Sequence, residues 1–274
     1  MPDLPVDLDA YFQRIGYRGP TSPTLETLNG IVNHHVQAIP FENLDILLGR
    51  GIDISPASLE QKLVFARRGG YCFEQNGFLL LVLRALGFDA TPISARVRYQ
   101  RPRDFIPPRT HVFLRVEIGG ESWLADVGVG GFSLTSALRL DTSEEQATPH
   151  EPRRIVREGH ILYHQVRLAD DWHDICEFTL EEMPDIDREL GNWFTSTHPQ
   201  SHFKNRLLAA RALPDGARNT LLNRELTRRR RSGVETRIIA TPDELLTVLH
   251  DDFGLHFAEG TRFTCPALDW PEGG

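Results

Sequence analysis

The sequence predicts an α+β chain with a helical first third, a β-rich middle and a mixed last third. Three observations carry this. Apolar residues recur at helical spacing as far as Leu86, period-two alternation takes over from Ala90, and both patterns return after Leu180. The 274 residues are 40% hydrophobic and 25% charged, enough to bury one large core or two to three smaller ones.

Leu8–Ile15 is a short amphipathic helix, and Ser22-Pro23-Thr24-Leu25-Glu26 is a helix start leading into Thr27–Ala38, which Pro40 ends. Ser55-Pro56-Ala57-Ser58-Leu59-Glu60 opens another helix, to about Phe65. Gly69-Gly70 breaks the chain before a helix from about Cys72 to Leu86, with Phe78, Leu81, Val82 and Ala85 on one stripe and Gly87 as its stop. Alternating strands follow at Ala90–Tyr99, His111–Ile118, Ser122–Val127, Arg154–Arg157, Leu162–Leu168 and Glu177–Leu180. Gly119-Gly120 is a hairpin turn and Pro102–Pro108 a polar loop. Asp185–Trp193 reads as helix, Leu207–Leu213 as a short helix and Arg237–Ala240 as a strand. Thr241–Asp252 reads as a helix capped by Thr241, with Pro242 in its first turn.

A net charge of −8 argues against nucleic acid as a partner. The acidic, proline-broken opening Met-Pro-Asp-Leu-Pro has no basic segment followed by an apolar core, so no secretory leader is expected. The longest apolar run, Phe78 to Leu83, is too short to span a bilayer, so a cytoplasmic protein without a membrane partner is expected. Three widely spaced cysteines, Cys72, Cys176 and Cys265, suit neither a disulfide framework nor a zinc site, and no metal is expected.

Cys72 differs from the other two cysteines. It follows Arg67-Arg68-Gly69-Gly70-Tyr71 and opens a helix, where the dipole and the unpaired N–H groups favour a thiolate and can hold an oxyanion. Cys176 and Cys265 read as packing residues. A second element comes from the hairpin. If Gly119-Gly120 is the turn, Ile118 pairs with Glu121, and counting back sets Phe113 opposite Asp126. Asp126 then shares a face with His111, diagonal to it and within reach of the imidazole. A one-residue slip would put it on the wrong face.

These residues lie in motifs that resemble the arylamine N-acetyltransferase family over most of the chain. Arg-Gly-Gly-Tyr-Cys-Phe-Glu-Gln-Asn at 68–76 is similar to the family's nucleophile motif, and Thr110-His111 and Asp126-Val127-Gly128 to its histidine and aspartate. Ile39-Pro40-Phe41-Glu42-Asn43-Leu44 and Ser196-Thr197-His198-Pro199-Gln200-Ser201-His202-Phe203 resemble two further signatures. The resemblance implies an N-terminal helical bundle (1–88), a central β-barrel (89–200) and a C-terminal α/β lid joined by an interdomain helix (201–274), with a cysteine-protease-like catalytic core.

It also implies ping-pong transfer of acetyl from acetyl-CoA, a substrate rather than a tightly bound cofactor, to small aromatic amines or hydrazines. Cys72, His111 and Asp126 would be catalytic, Phe41, Val129 and Phe203 would line the acceptor pocket, and Thr110 would contact CoA. Gly128, Gly130 and Gly131 would let the backbone approach CoA. Val129 stands where family members often carry an aromatic residue, a loss that Phe132 is placed to offset. A monomer or homodimer is expected. Arg68 and Glu42 are expected to pair, and Arg228–Arg231 to form a solvated charged face. The alternative is another cysteine-triad enzyme, a thioesterase or other hydrolase or a transglutaminase-like protein, because Cys, His and Asp in this order are common to all.

Overall fold

The computed structural model describes residues 6–270; the proline-broken opening at 1–5, on which the reading of a missing leader partly rests, lies outside them. The first part is helical: α1 (Leu8–Ile15), α2 (Leu25–Ala38), the short α3 (Leu44–Leu47), α4 (Pro56–Glu60), which widens into a π-turn over Gln61–Phe65, and α5 (Cys72–Ala85). α1 and α2 begin as their side chains dictate. Asp7 accepts from the Ala10 N–H at 2.9 Å, and Thr24 accepts from the Thr27 N–H at 3.3 Å. A two-residue strand, β1 (Phe41–Glu42), lies between α2 and α3.

A seven-stranded antiparallel sheet follows, made of β2 (Asp89–Val97), β3 (His111–Ile118), β4 (Glu121–Ala125), β5 (Leu138–Arg139), β6 (Arg153–Glu158), β7 (Ile161–Leu168) and β8 (Asp171–Glu182), in the order β5-β4-β3-β2-β8-β7-β6. It curls into a nearly closed barrel, and Gln146 joins the two edges. Its backbone pairs with Arg153 of β6 at 2.7 and 2.9 Å, while its side chain holds both backbone groups of Arg139 on β5 at 2.7 and 3.0 Å. Closing a sheet in this way satisfies edge groups that would otherwise face solvent or another chain.

The remaining elements are α6 (Asp185–Thr197), α7 (His202–Asn205), β9 (Leu208–Ala212), β10 (Arg218–Leu222), β11 (Glu225–Arg230), β12 (Gly233–Ile238) and α8 (Pro242–Phe253). The four strands and β1 form a second antiparallel sheet in the order β1-β9-β10-β11-β12. β1 therefore ties the N-terminal part to the C-terminal sheet, through Phe41 opposite Ala210. α8 is capped by Thr241 and carries Leu245, Val248, Leu249 and Phe253 on one buried stripe. Each such side chain contributes about 1.5–3 kcal/mol on burial, here against Leu221 and Leu226 of the sheet. Among the described residues no helix is long and apolar enough to cross a membrane.

Two expectations need correction. Leu207–Leu213 is not helical; β9 occupies it. Leu-Leu-Ala-Ala-Arg-Ala-Leu is rich in helix formers, but β1 on one side and β10 on the other offer it a full ladder, and tertiary pairing overrides propensity. The Arg228–Arg231 run is not an open charged face throughout. Arg228 makes two bonds to the Asp252 carboxylate of α8, at 2.7 and 2.9 Å.

Candidate active site

The start of α5 is fixed by close backbone packing. Gly69 and Gly70 do not adopt left-handed conformations, so the need for glycine is one of space rather than turning. A Cβ on Gly69 would lie 2.1 Å from the Pro40 carbonyl oxygen. Without one, β1 and the preceding Pro40 run alongside, and Gly70 donates to Pro40 at 3.3 Å and accepts from Glu42 at 3.0 Å. A buried relay holds the same corner from behind. Gln75 donates to the Gly70 and Pro40 carbonyls at 2.8 and 3.1 Å, and its amide oxygen meets His35 Nε2 at 3.0 Å. Burial, assisted by the positive charge of Arg14, outweighs the Gln75 bond and pushes His35 down to about 3, so it is neutral.

Ion pairs brace the other side. The fully buried Glu42 carboxylate accepts from Arg68 at 2.6 and 3.1 Å and from the Leu44 N–H at 2.6 Å, which is the expected pair. Asp45 bonds both Arg68 and Lys62, and Lys62 reaches Glu74 at 2.6 Å. Burial raises the Glu74 carboxyl, with Lys62 opposing. Arg68→Met would leave Glu42 without its cation. We expect a loss of about 3–5 kcal/mol, measured by urea unfolding; a loss under 1 kcal/mol would show that the pair does not brace the site.

The hairpin has the register counted from the sequence: Ile118 opposite Glu121 and Leu114 opposite Ala125, with Gly119 and Gly120 both at positive φ. The ladder stops at Ala125, two residues short of the expected strand end, and Asp126 stands just beyond it. Its Oδ2 lies 2.8 Å from His111 Nε2. Its Oδ1 accepts from Asn76 Nδ2 and from the Gly128 N–H, both at 2.9 Å. Asn76 comes from α5, one turn after Cys72. It also donates to the Val112 carbonyl at 2.7 Å and accepts from the Val127 N–H at 2.9 Å, so one side chain ties α5 to β3 and to the loop that follows β4.

Cys72 lies close enough to His111 to favour its charged form. The thiol meets the Thr110 carbonyl at 3.7 Å. All three groups are buried, with Cys72 retaining 3% exposure. Burial works against a charged imidazole, but the Asp126 carboxylate, the hydrogen bond to it and the nearby Cys72 outweigh this and push His111 up to about 10. Burial works against the Asp126 carboxylate as well, yet His111, Asn76 and Gly128 hold it below the usual range. The pair is therefore imidazolium and carboxylate at neutral pH, with the Cys72 side chain nearby.

Of the remaining expected site residues, Phe41 and Phe203 lie in the apolar cluster around Cys72, their rings 6.0 Å apart, with Tyr71 5.3 Å from Phe203. Val129 is half-buried and packs toward the main core. Phe132 lies against Tyr99, centroids 4.5 Å apart. Thr110 reaches the sulfur through its backbone. The three glycines differ in how closely protein approaches them. A Cβ on Gly128 would lie 2.7 Å from Cys72 Cα, one on Gly130 3.4 Å from Phe41 and one on Gly131 3.0 Å from Thr220. Close packing alone accounts for glycine at 128. Cys176 is fully buried, and burial raises its thiol well above the ordinary range; Cys265 is half-buried. Among the described residues no cluster of three or more His, Cys, Asp or Glu is placed to hold a metal.

Comparison with known proteins bears on the whole chain. A family model described as N-acetyltransferase matches residues 24–262. The arylamine N-acetyltransferase of Mycobacterium tuberculosis is 43% identical over 93% of this chain and 92% of its own length, and that of Escherichia coli is 42% identical over 90% and 88%. The solved structure of the Mycobacterium marinum arylamine N-acetyltransferase in complex with CoA superposes with a TM-score of 0.87 at 41% identity, covering 90% of this chain and 92% of that one. Extended this far along both partners, and matched in sequence as in fold, the similarity establishes that the chain belongs to the arylamine N-acetyltransferase family.

Proposed function

We propose that this enzyme acetylates aromatic amines and hydrazines from acetyl-CoA by a ping-pong route through an acetyl-Cys72 intermediate. The observation that carries this reading is a helix-terminal thiol close to an imidazole whose Nε2 is held 2.8 Å from a buried carboxylate. The Cys72 sulfur, its proton held by His111, attacks the thioester carbonyl. The C–S bond to CoA breaks, and the departing CoA sulfur takes the proton from His111. One thioester replaces another, so the step is close to balanced in energy. The amine then adds to the acetyl carbonyl and gives its proton to His111, and the Cys72 sulfur leaves. Asp126 holds the imidazole in one orientation and stabilises its charged form.

In this reading Phe41 and Phe203 select a flat acceptor ring, and Thr110, Gly128, Gly130 and Gly131 lie along the path of CoA. Residues 201–274 act as a lid that keeps water from the acyl-enzyme; β9, beside Phe41, supports that role. Mass spectrometry of the protein after acetyl-CoA treatment should find one acetyl group on Cys72, discharged by isoniazid or 2-aminofluorene. Hydrolysis of acetyl-CoA at one rate with or without amine would favour a thioesterase instead.

Val129 leaves more room than an aromatic residue, so bulky arylamines should be tolerated. Val129→Phe is expected to lower kcat/KM for a tricyclic amine by roughly tenfold while sparing a single-ring one. An unchanged acceptor profile would remove Val129 from the pocket.

A further inference from the structure

The loop that carries Asp126 is held from the opposite sheet. Ser133 and Leu134 share one peptide unit. Its N–H donates to the Asp126 carbonyl at 2.7 Å, and its C=O accepts from Arg218 Nη2 at 3.0 Å. A trans peptide points these two groups in opposite directions, so two hydrogen bonds run in series from Arg218 on β10 to the backbone of Asp126. The guanidinium is itself aimed. Glu151 accepts from its Nε at 2.8 Å and its Nη2 at 2.9 Å, the bidentate arrangement that fixes an arginine's plane. Glu151 is steadied in turn by Arg153 at 2.9 Å. Arg218, Ser133 and Leu134 are all buried. Two residues along β10, Thr220 stands against Gly131 of the same loop.

We propose that Arg218 is a positioning residue for the active site: from the C-terminal sheet it sets, through the Ser133–Leu134 peptide, where Asp126 and hence His111 stand relative to Cys72. The inference rests on the triad reading above, but its test does not need acetyl transfer. Alkylation of Cys72 by iodoacetamide at pH 6, followed at the Cys72 peptide by mass spectrometry, reads the thiol–imidazole arrangement directly.

Arg218→Met should slow this alkylation by roughly ten- to a hundred-fold. Arg218→Lys keeps a cation beside Glu151 but cannot reproduce the planar fork, and should fall between the methionine variant and the native protein. Where turnover is measurable, the loss should appear in kcat, with KM for acetyl-CoA within about twofold. Native-rate alkylation in either folded variant would overturn the proposal. So would a lysine variant that fails to fold, since the role would then be structural. If native protein takes no acetyl group yet alkylation still depends on Arg218, the transfer reading fails and the positioning role stands.

Discussion

Cys72→Ala is expected to abolish acetyl transfer, by about 10⁴-fold or more, while leaving a folded protein. The expected fold cost is small. The substitution removes one sulfur atom, and the contacts that shape this corner belong to the backbone: the Gly69–Pro40 approach and the fit of Gly128 against Cys72 Cα. A penalty of about 1 kcal/mol is typical of such a change. The catalytic cost is large because no other group can take the acyl chain. Cys176 is sealed in the sheet, and in the proposed mechanism His111 is occupied as the proton carrier. Both half-reactions should vanish together: no acetyl group at residue 72, no CoA release without amine, and no arylamide product. A Cys72→Ala protein that still made product would indicate direct transfer from CoA to amine, and the acyl-enzyme would have to be abandoned.

The triad hairpin was legible because its information is local. Gly119-Gly120 marks the turn, alternation sets the faces, and a two-residue period makes the register a matter of counting. Helices α1, α2, α5 and α8 were legible for the same reason, since caps and apolar spacing lie within each segment. β9 was not, because its composition favours helix and only its distant partners decide otherwise. The β10–β11 hairpin also escaped notice. Its strands are rich in arginine, although Asn223, at positive φ in the two-residue turn, was an available signal. Asn76 could have been found: it stands four residues after Cys72, hence on the same helix face, inside a motif already singled out. Arg218 could not. Its partners Ser133 and Glu151 lie 85 and 67 residues away, and nothing in the chain announces that they meet.

Asp126→Asn should lower the rate by about 10⁴-fold with the fold intact, for a reason the hydrogen bonds make specific. Oδ1 accepts two N–H groups, from Asn76 and Gly128, so an asparagine must keep its oxygen there. Its NH₂ then faces His111 Nε2, which has to become an acceptor. The imidazole proton moves to the nitrogen that serves Cys72, and the base that should take the thiol proton is lost. The same substitution should change how stability depends on pH. In the native protein His111 is raised from about 6.5 in the unfolded chain to about 10 when folded. Its contribution is complete below pH 6.5 and disappears as pH climbs toward 10. Asp126 is depressed, so its contribution is present above roughly pH 4 and fades only as acid protonates the folded carboxylate. Between pH 7 and 10 the native melting temperature should therefore fall relative to that of the Asp126→Asn variant, the two curves converging at the alkaline end. Parallel curves across that range, or a variant with normal turnover, would mean that the Asp126 carboxylate does not govern the charge of His111, and the triad assignment would lose its third member.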